Sequence, residues 1–363
     1  MVINFGAGPS KLPEEVLSGV QKDLLNYNGI GISVMEMSHR SKDYAVINDT
    51  AQQTVRELLN IPQEYAVLFM QGGATGIFAS VPMNLMPRTG TADYFVTGIW
   101  SAKAAKEASK YGKVNMVLPK ADKYEMVPDK SSWKLDPNAS YVYYCDNETV
   151  NGIEFPFIPE TNGVPLVADM SSNILTRNFD IRKFAIIFAG AQKNIGPPGV
   201  TLVIARRDLL GKAMPTCPLI LDLAVMDKDN SLHNTSPTFS IFVMGRVFEW
   251  IKSNGGVNGM EDLSRMKSSL LYEAINESNG FYSCTVKEGF RSRTNIPFRV
   301  ANGNVELEKK FVEEAKAQGM IQLAGHRLVG GLRASFYNAH TIAEAKALIA
   351  FMKEFQKKYI STA

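Results

Sequence analysis

The sequence is short of several things at once, and each shortage closes off a class of protein. Only three cysteines occur, Cys145, Cys217 and Cys284, far apart and odd in number. That is no disulfide framework, and it suits a reducing compartment. The four histidines, His39, His233, His326 and His340, show neither H-E-x-x-H nor any close metal spacing, and no C-x-x-C exists, so no metal site is expected. No apolar run approaches the roughly 18 residues of a membrane span; the best candidates, 184–191 and 200–205, are strand-sized. The N-terminus has no basic stretch followed by an apolar one, so no signal peptide is expected. Charge of one sign is scarce too: 39 Lys and Arg against 36 Asp and Glu leave +3, too even for electrostatic binding of nucleic acid. The expectation is a cytoplasmic protein with no nucleic-acid and no membrane partner.

Nucleotide signatures are missing as well. The pattern G-x-G-x-x-G fails after the first strong strand, where 71–76 reads Gln-Gly-Gly-Ala-Thr-Gly. Gly6-Ala-Gly8 lacks the third glycine and a convincing preceding strand, and neither Gly112-Lys113 nor Gly211-Lys212 continues to the Ser or Thr of a P-loop.

What is present is ordinary globular material, 45% hydrophobic and 21% charged. At roughly 150 residues per domain, 363 residues make about two domains, or one large α/β domain with an appendage. Short apolar runs alternate with helical patterns from about 65 to 206, with strand candidates at 66–70, 93–96, 114–118, 140–145, 164–168, 185–189 and 200–205. Runs apolar on both faces and spaced by helices point to a mostly parallel sheet covered on both sides. After 238 the texture changes: helices at 239–252 and 260–278 broken by Asn254-Gly-Gly256, then strand-like 293–300, helix-like 305–318, strand-like 328–336 and a terminal helix at 341–358. This reads as a smaller C-terminal α+β domain. The expected division is a large domain over 16–256 and a small one over 257–363, with segment 1–15 packing on the small one.

In such sheets ligands collect beyond the carboxyl ends of the strands, and three strand ends stand out. The turn at 72–76 offers free backbone N–H groups at a helix start, which suits a phosphate, although a tight turn without a ligand explains it equally. Asp169 closes an apolar strand; the plainer reading is a helix N-cap or an Asx turn. Lys193 follows another apolar strand, hemmed by small residues, where its amine could act on carbonyls; the plainer reading is a lysine snorkelling from the sheet's rim. A phosphate seat, an acid and a lysine at one sheet edge are the parts that pyridoxal 5′-phosphate requires, the acid for its ring nitrogen and the lysine to hold it as an imine. Trp100, at the next strand end, supplies an aromatic face.

The stretches 31–40 (ending Ser38-His-Arg40), 98–103 (Gly-Ile-Trp-Ser-Ala-Lys), 146–149 (Asp-Asn-Glu-Thr), 169–172, 190–194 and Gly325-His-Arg327 closely resemble the phosphoserine aminotransferase family, of the fold-type I, class V pyridoxal-phosphate enzymes. The resemblance runs from about Asn4 to the final helix. It implies that Lys193 carries the cofactor and then shuttles a proton between Cα and C4′, and that Asp169 pairs with the ring nitrogen. It implies further that Trp100 stacks on the ring, Thr149 meets the phenolic oxygen, and Ala74, Thr75 and Gln192 hold the phosphate. Asn234 and Thr235 are implied to reach the cofactor phosphate of a neighbouring subunit, hence a homodimer with shared sites. Substrate selection is implied to fall to His39, Arg40, His326, Arg327 and Arg333, and arginine forks do bind carboxylate and phosphate bidentately; singly, each arginine is as well read as a surface ion pair. The implied reaction takes 3-phosphooxypyruvate and L-glutamate to O-phospho-L-serine and 2-oxoglutarate, in L-serine biosynthesis. Two positions depart from the family. Ala74 replaces a third glycine and fits only at negative φ, and Pro197-Pro198 removes a backbone N–H after the lysine. Three other readings remain in view: a cysteine desulfurase or another small amino-acid aminotransferase, an inactive relative acting as a binding protein, and a nicotinamide dehydrogenase.

Overall fold

The computed structural model describes residues 2–362. The chain opens with β1 (Ile3–Asn4), α1 (Glu14–Asp23) and α2 (Lys42–Leu59), then β2 (Tyr65–Met70), α3 (Gly73–Leu85), β3 (Thr91–Tyr94), α4 (Ile99–Ala108), β4 (Lys113–Met116) and β5 (Val142–Cys145). A short hairpin, β6 (Asn147–Glu148) and β7 (Ile153–Glu154), precedes β8 (Leu166–Asp169), β9 (Ile186–Gly190) and β10 (Thr201–Arg206). The remainder comprises α5 (Leu223–Lys228), α6 (Thr238–Ser253), α7 (Gly256–Asn276), β11 (Tyr282–Ser283), β12 (Asn295–Val300), α8 (Val305–Ala317), β13 (Met320–Ile321), β14 (Leu332–Ser335) and α9 (Ile342–Tyr359).

Seven strands form the main sheet in the order β2-β10-β9-β8-β5-β3-β4. β10 alone runs antiparallel to its neighbours; the rest share one direction, so the mostly parallel, helix-covered sheet expected from the sequence is present. Most of its strands are buried along both faces, β2, β5, β8 and β9 completely, while the edge strand β4 is partly exposed. The two-residue period divides each strand between two cores: Val67 and Phe69 join one, Ala66, Leu68 and Met70 the other. One consequence matters for function. The carboxyl ends of β2, β3, β5, β8 and β9 all emerge at a single edge.

A third core belongs to the C-terminal part, where Phe281, Phe298, Phe311, Phe351 and Phe355 pack around the antiparallel sheet β11-β12-β14. Phe5 sits in this core, fully buried, and β1 pairs in parallel with β13. α7 begins at a left-handed Gly255 (φ 87°), the glycine break read from the sequence. The strand expected over 328–336 is shorter: only Leu332–Ser335 is extended, because Gly330 and Gly331 adopt positive φ (68° and 69°) and turn the chain before it.

Candidate active site

The turn after β9 carries Lys193. It is closed by Gly196 N–H donating to Ala191 O at 2.8 Å, and its first half is covered by Ser10, whose N–H donates to Gln192 O at 3.0 Å. Lys193 Nζ donates to Thr149 Oγ1 at 2.6 Å and lies 5.7 Å from the centroid of the Trp100 ring. Burial lowers its pKa from the ordinary lysine value, with Arg333 adding to the effect and Asp169 opposing it. A larger share of the amine is therefore uncharged near neutrality, and that is the form that attacks a carbonyl. A lysine snorkelling to solvent does not describe it.

Asp169 ends β8, the strand beside β9. Its Oδ1 accepts from Ser171 N–H at 2.8 Å, so the Asx turn is real, but that turn engages one oxygen only. Burial raises the carboxyl pKa, while Lys193 and the bonds from Ser171 pull it back. Each of the two groups senses the other's charge, yet among the described residues they form no direct ion pair.

Thr149 stands in the turn of the β6–β7 hairpin and serves two cations: its hydroxyl meets Lys193, and its carbonyl accepts from Arg333 Nη1 at 3.2 Å. Trp100 is the second residue of α4, and its indole Nε1 is buried without a partner among the described residues. At the start of α3, Gly72 (φ 93°) and Gly73 (φ 62°) occupy the left-handed region that side-chain-bearing residues rarely adopt. The N–H groups of Gly73, Ala74 and Thr75 have no acceptor within the helix, and a Cβ on Gly73 would meet nothing within 4 Å. Ala74 lies outside the left-handed region, which is why alanine is accommodated there. The prolines after the lysine turn are tied to α6, Pro198 O accepting from Ser240 Oγ at 3.0 Å.

Arg333, on β14, has no carboxylate within ion-pair distance among the described residues, and burial lowers its pKa. His326 has its pKa lowered by burial, then by Arg333, Lys103 and Arg327, which places those four groups in one neighbourhood. Lys103 had no role in the sequence reading, although it follows Trp100 by one helical turn; its Nζ lies 4.3 Å from the Trp100 ring. Glu148 was passed over as well.

Four of the sequence candidates stand apart from this group. His39 and Arg40 lie in the turn before α2; Arg40 is exposed, and among the described residues His39 Nε2 is buried without a partner and no contact joins either to Lys193. Asn234 donates to Gln71 Oε1 at 2.7 Å, one residue before Gly72, while its own Oδ1 is buried without a partner; Thr235 is exposed. The thiols do not form a reactive centre. Burial pushes Cys145 well up, Cys217 to about 11, and Cys284 up as well. No grouping of His, Cys, Asp and Glu able to hold a metal occurs among the described residues.

A lysine and an acid at the carboxyl edge of a mostly parallel sheet, faced by an indole, define an aminotransferase-like site, and the class-V aminotransferase family model matches residues 2–348. The chain is 62% identical over 360 residues to a phosphoserine aminotransferase of Drosophila melanogaster, covering 98% of this chain and 99% of that one. Among solved structures, the phosphoserine aminotransferase of Bacillus circulans subsp. alkalophilus superposes with a TM-score of 0.95 at 43% identity, covering 99% of both chains. The pyridoxal-phosphate-bound enzyme of Trichomonas vaginalis does so with a TM-score of 0.94 at 38% identity, covering 97% of this chain and 100% of the other. The chain belongs to the phosphoserine aminotransferase family.

Proposed function

We propose that this chain is a pyridoxal-5′-phosphate-dependent aminotransferase converting 3-phosphooxypyruvate and L-glutamate to O-phospho-L-serine and 2-oxoglutarate in a ping-pong cycle. The observation that carries the reading is the meeting of Lys193 Nζ, Thr149 Oγ1 and the Trp100 ring beside Asp169 and an uncompensated Arg333. The donor set fits the cofactor: an amine, a buried acid, an aromatic wall, a hydroxyl, and a helix start whose first N–H groups have no acceptor within the helix. Bound there, pyridoxal phosphate supplies an electron sink for the substrate's Cα electrons.

The protein's own residues do the rest. Lys193 holds the cofactor and moves a proton between substrate Cα and C4′. Asp169, kept near Lys193 and bonded by Ser171, keeps the ring nitrogen protonated. Thr149 orients the amine and meets the ring's phenolic oxygen, Trp100 packs on the ring's face, and Ala74, Thr75 and Gln192 hold the phosphate. Arg333 receives the substrate carboxylate, because its guanidinium is held to Thr149 O beside the reacting amine. His326 and Arg327 meet the substrate phosphate, and the glutamate side-chain carboxylate takes the same place. In a homodimer, which we also propose, Asn234 and Thr235 reach the partner's cofactor phosphate, and His39 and Arg40 complete substrate binding across the interface. The protein acts in the cytoplasm; among the described residues no helix is long and apolar enough to cross a membrane.

A spectral titration tests this. The protein loaded with pyridoxal phosphate absorbs in the visible; O-phospho-L-serine alone bleaches the band, and 2-oxoglutarate restores it. A band that ignores phosphoserine but responds to alanine or cysteine would overturn the substrate assignment. Thiol pKa values all displaced upward argue against the desulfurase reading.

A further inference from the structure

We propose that Glu148 is a positioning residue of this site: its carboxylate pins the first turn of α4, and with it the Trp100 wall, to the hairpin that carries Thr149. The proposal rests on the cofactor reading above. Glu148 is fully buried. Its Oε1 accepts from Ser101 N–H at 2.8 Å and from the Ser101 hydroxyl at 2.5 Å, and its Oε2 accepts from Trp100 N–H at 3.0 Å. Ser101 Oγ itself accepts from Thr97 N–H (2.9 Å) and Gly98 N–H (3.1 Å), and for its proton the carboxylate at 2.5 Å is a nearer acceptor than Gly98 O at 3.2 Å. The remaining free N–H of the turn, that of Ile99, donates to Asn151 Oδ1 at 3.1 Å. The hairpin thus takes all three donors at the start of α4; burial raises the pKa of the Glu148 carboxyl, while these bonds and the positive end of the helix favour its charged form.

Gly98 marks the same requirement from the other side. Its backbone is extended, so its conformation needs no glycine, but a Cβ there would stand 2.4 Å from Glu148 Cδ. The adjacent residue, Thr149, bonds Lys193 and Arg333. Two consecutive residues therefore fix the aromatic wall, the amine and the substrate arginine relative to one another. Glu148 also faces Asp169, Lys193, Cys145, Tyr143 and Tyr124 electrostatically, with Arg333 beyond Lys193. As a second anion near Lys193 it favours a protonated nitrogen there.

The test compares wild type, Glu148→Gln, Glu148→Asp and Gly98→Ala, all checked for folding by circular dichroism. The readouts are pyridoxal phosphate affinity, from quenching of tryptophan fluorescence, and the midpoint of the pH titration of the bound visible band. An amide faces the Trp100 N–H with a donor or gives up the two Ser101 bonds, so Glu148→Gln weakens affinity by about tenfold and moves the midpoint down. Glu148→Asp keeps the charge, so it restores the midpoint while leaving part of the affinity loss. Gly98→Ala displaces the carboxylate and reproduces the loss. Wild-type affinity and midpoint in a folded Glu148→Gln overturn the proposal; if that variant does not fold, wild-type affinity in both of the others overturns it. A wild-type protein that takes no pyridoxal phosphate overturns this proposal together with the functional reading. One that responds to phosphoserine while the variants match it overturns the role of Glu148 alone.

Discussion

Lys193 and Asp169 answer differently to substitution because one reacts and the other supports. Removing the amine takes away both the attachment and the proton carrier, so Lys193→Ala is expected to lower turnover by on the order of 10⁴ or more. Asp169→Asn keeps the shape and loses the charge that protonates the ring nitrogen; a loss of about 10² is expected. The asparagine variant should also unfold at the same or slightly higher denaturant concentration, since a buried carboxyl with a raised pKa is costly to desolvate. Single-turnover kinetics with phosphoserine and a urea melt check the pair, and an Asp169→Asn protein with normal turnover would remove the role given to that acid. Strand ends are where a sequence speaks about chemistry, and the ends of β8 and β9 made Asp169 and Lys193 legible. Glu148 was illegible for a physical reason: beside a threonine in a hairpin, a glutamate looks solvated. Only the fold brings its carboxylate to a helix start far back in the chain.

The start of α3 is a unit whose residues should rank by backbone geometry. Gly73→Ala puts a Cβ into open space, so its cost is the left-handed φ of 62° alone, about 1–2 kcal/mol. Gly72→Ala adds a contact 3.2 Å from Gly76 Cα to a φ of 93°, so it should cost more. Ala74→Gly relieves nothing and should shift stability by less than about 1 kcal/mol. Denaturation midpoints of the three apoproteins give the order, and a Gly73→Ala as stable as wild type would contradict it. The seven strands of the main sheet were readable to within about two residues, all but the partly exposed edge strand β4 because both-face burial writes a largely apolar run. Helices α1 and α2 were not read, since neither follows a strand of the alternating pattern. The stretch 328–331 was misread as strand because Leu328 and Val329 are apolar, although both are exposed, and the positive φ of Gly330 and Gly331 outweighs propensity.

At the scale of the whole molecule, the first residues of the chain are held by its last third. Ser335 N–H donates to Phe5 O at 3.2 Å, Tyr337 Oη–H to Ala7 O at 2.7 Å, and His340 Nε2–H to Asn4 O at 2.7 Å. In local sequence Phe5 and Tyr337 are ordinary apolar positions, and these particular bonds exist only once the fold joins the two ends. The tautomer follows from the bond to Asn4: the proton sits on Nε2, and Nδ1 is buried without a partner among the described residues.

Protonating His340 Nδ1 would create an unpaired buried cation beside Lys267, whose ammonium donates to Tyr337 O (2.8 Å) and His340 O (2.9 Å). Burial and Lys267 push the pKa of His340 down from 6.5 to about 4, with Glu344 working against them and Lys11 with them. The unfolded chain therefore binds the proton first. Stability from this group is complete above about pH 6.5 and is lost as pH falls toward 4. Between pH 7 and pH 5 the loss should be on the order of 2 kcal/mol, in a window above the carboxylate titrations. His340→Asn, which keeps a donor for Asn4 O and cannot titrate there, should flatten that slope. Urea melts of wild type and variant at the two pH values measure it, and equal slopes would show that this histidine does not govern how the two ends of the chain hold together in acid.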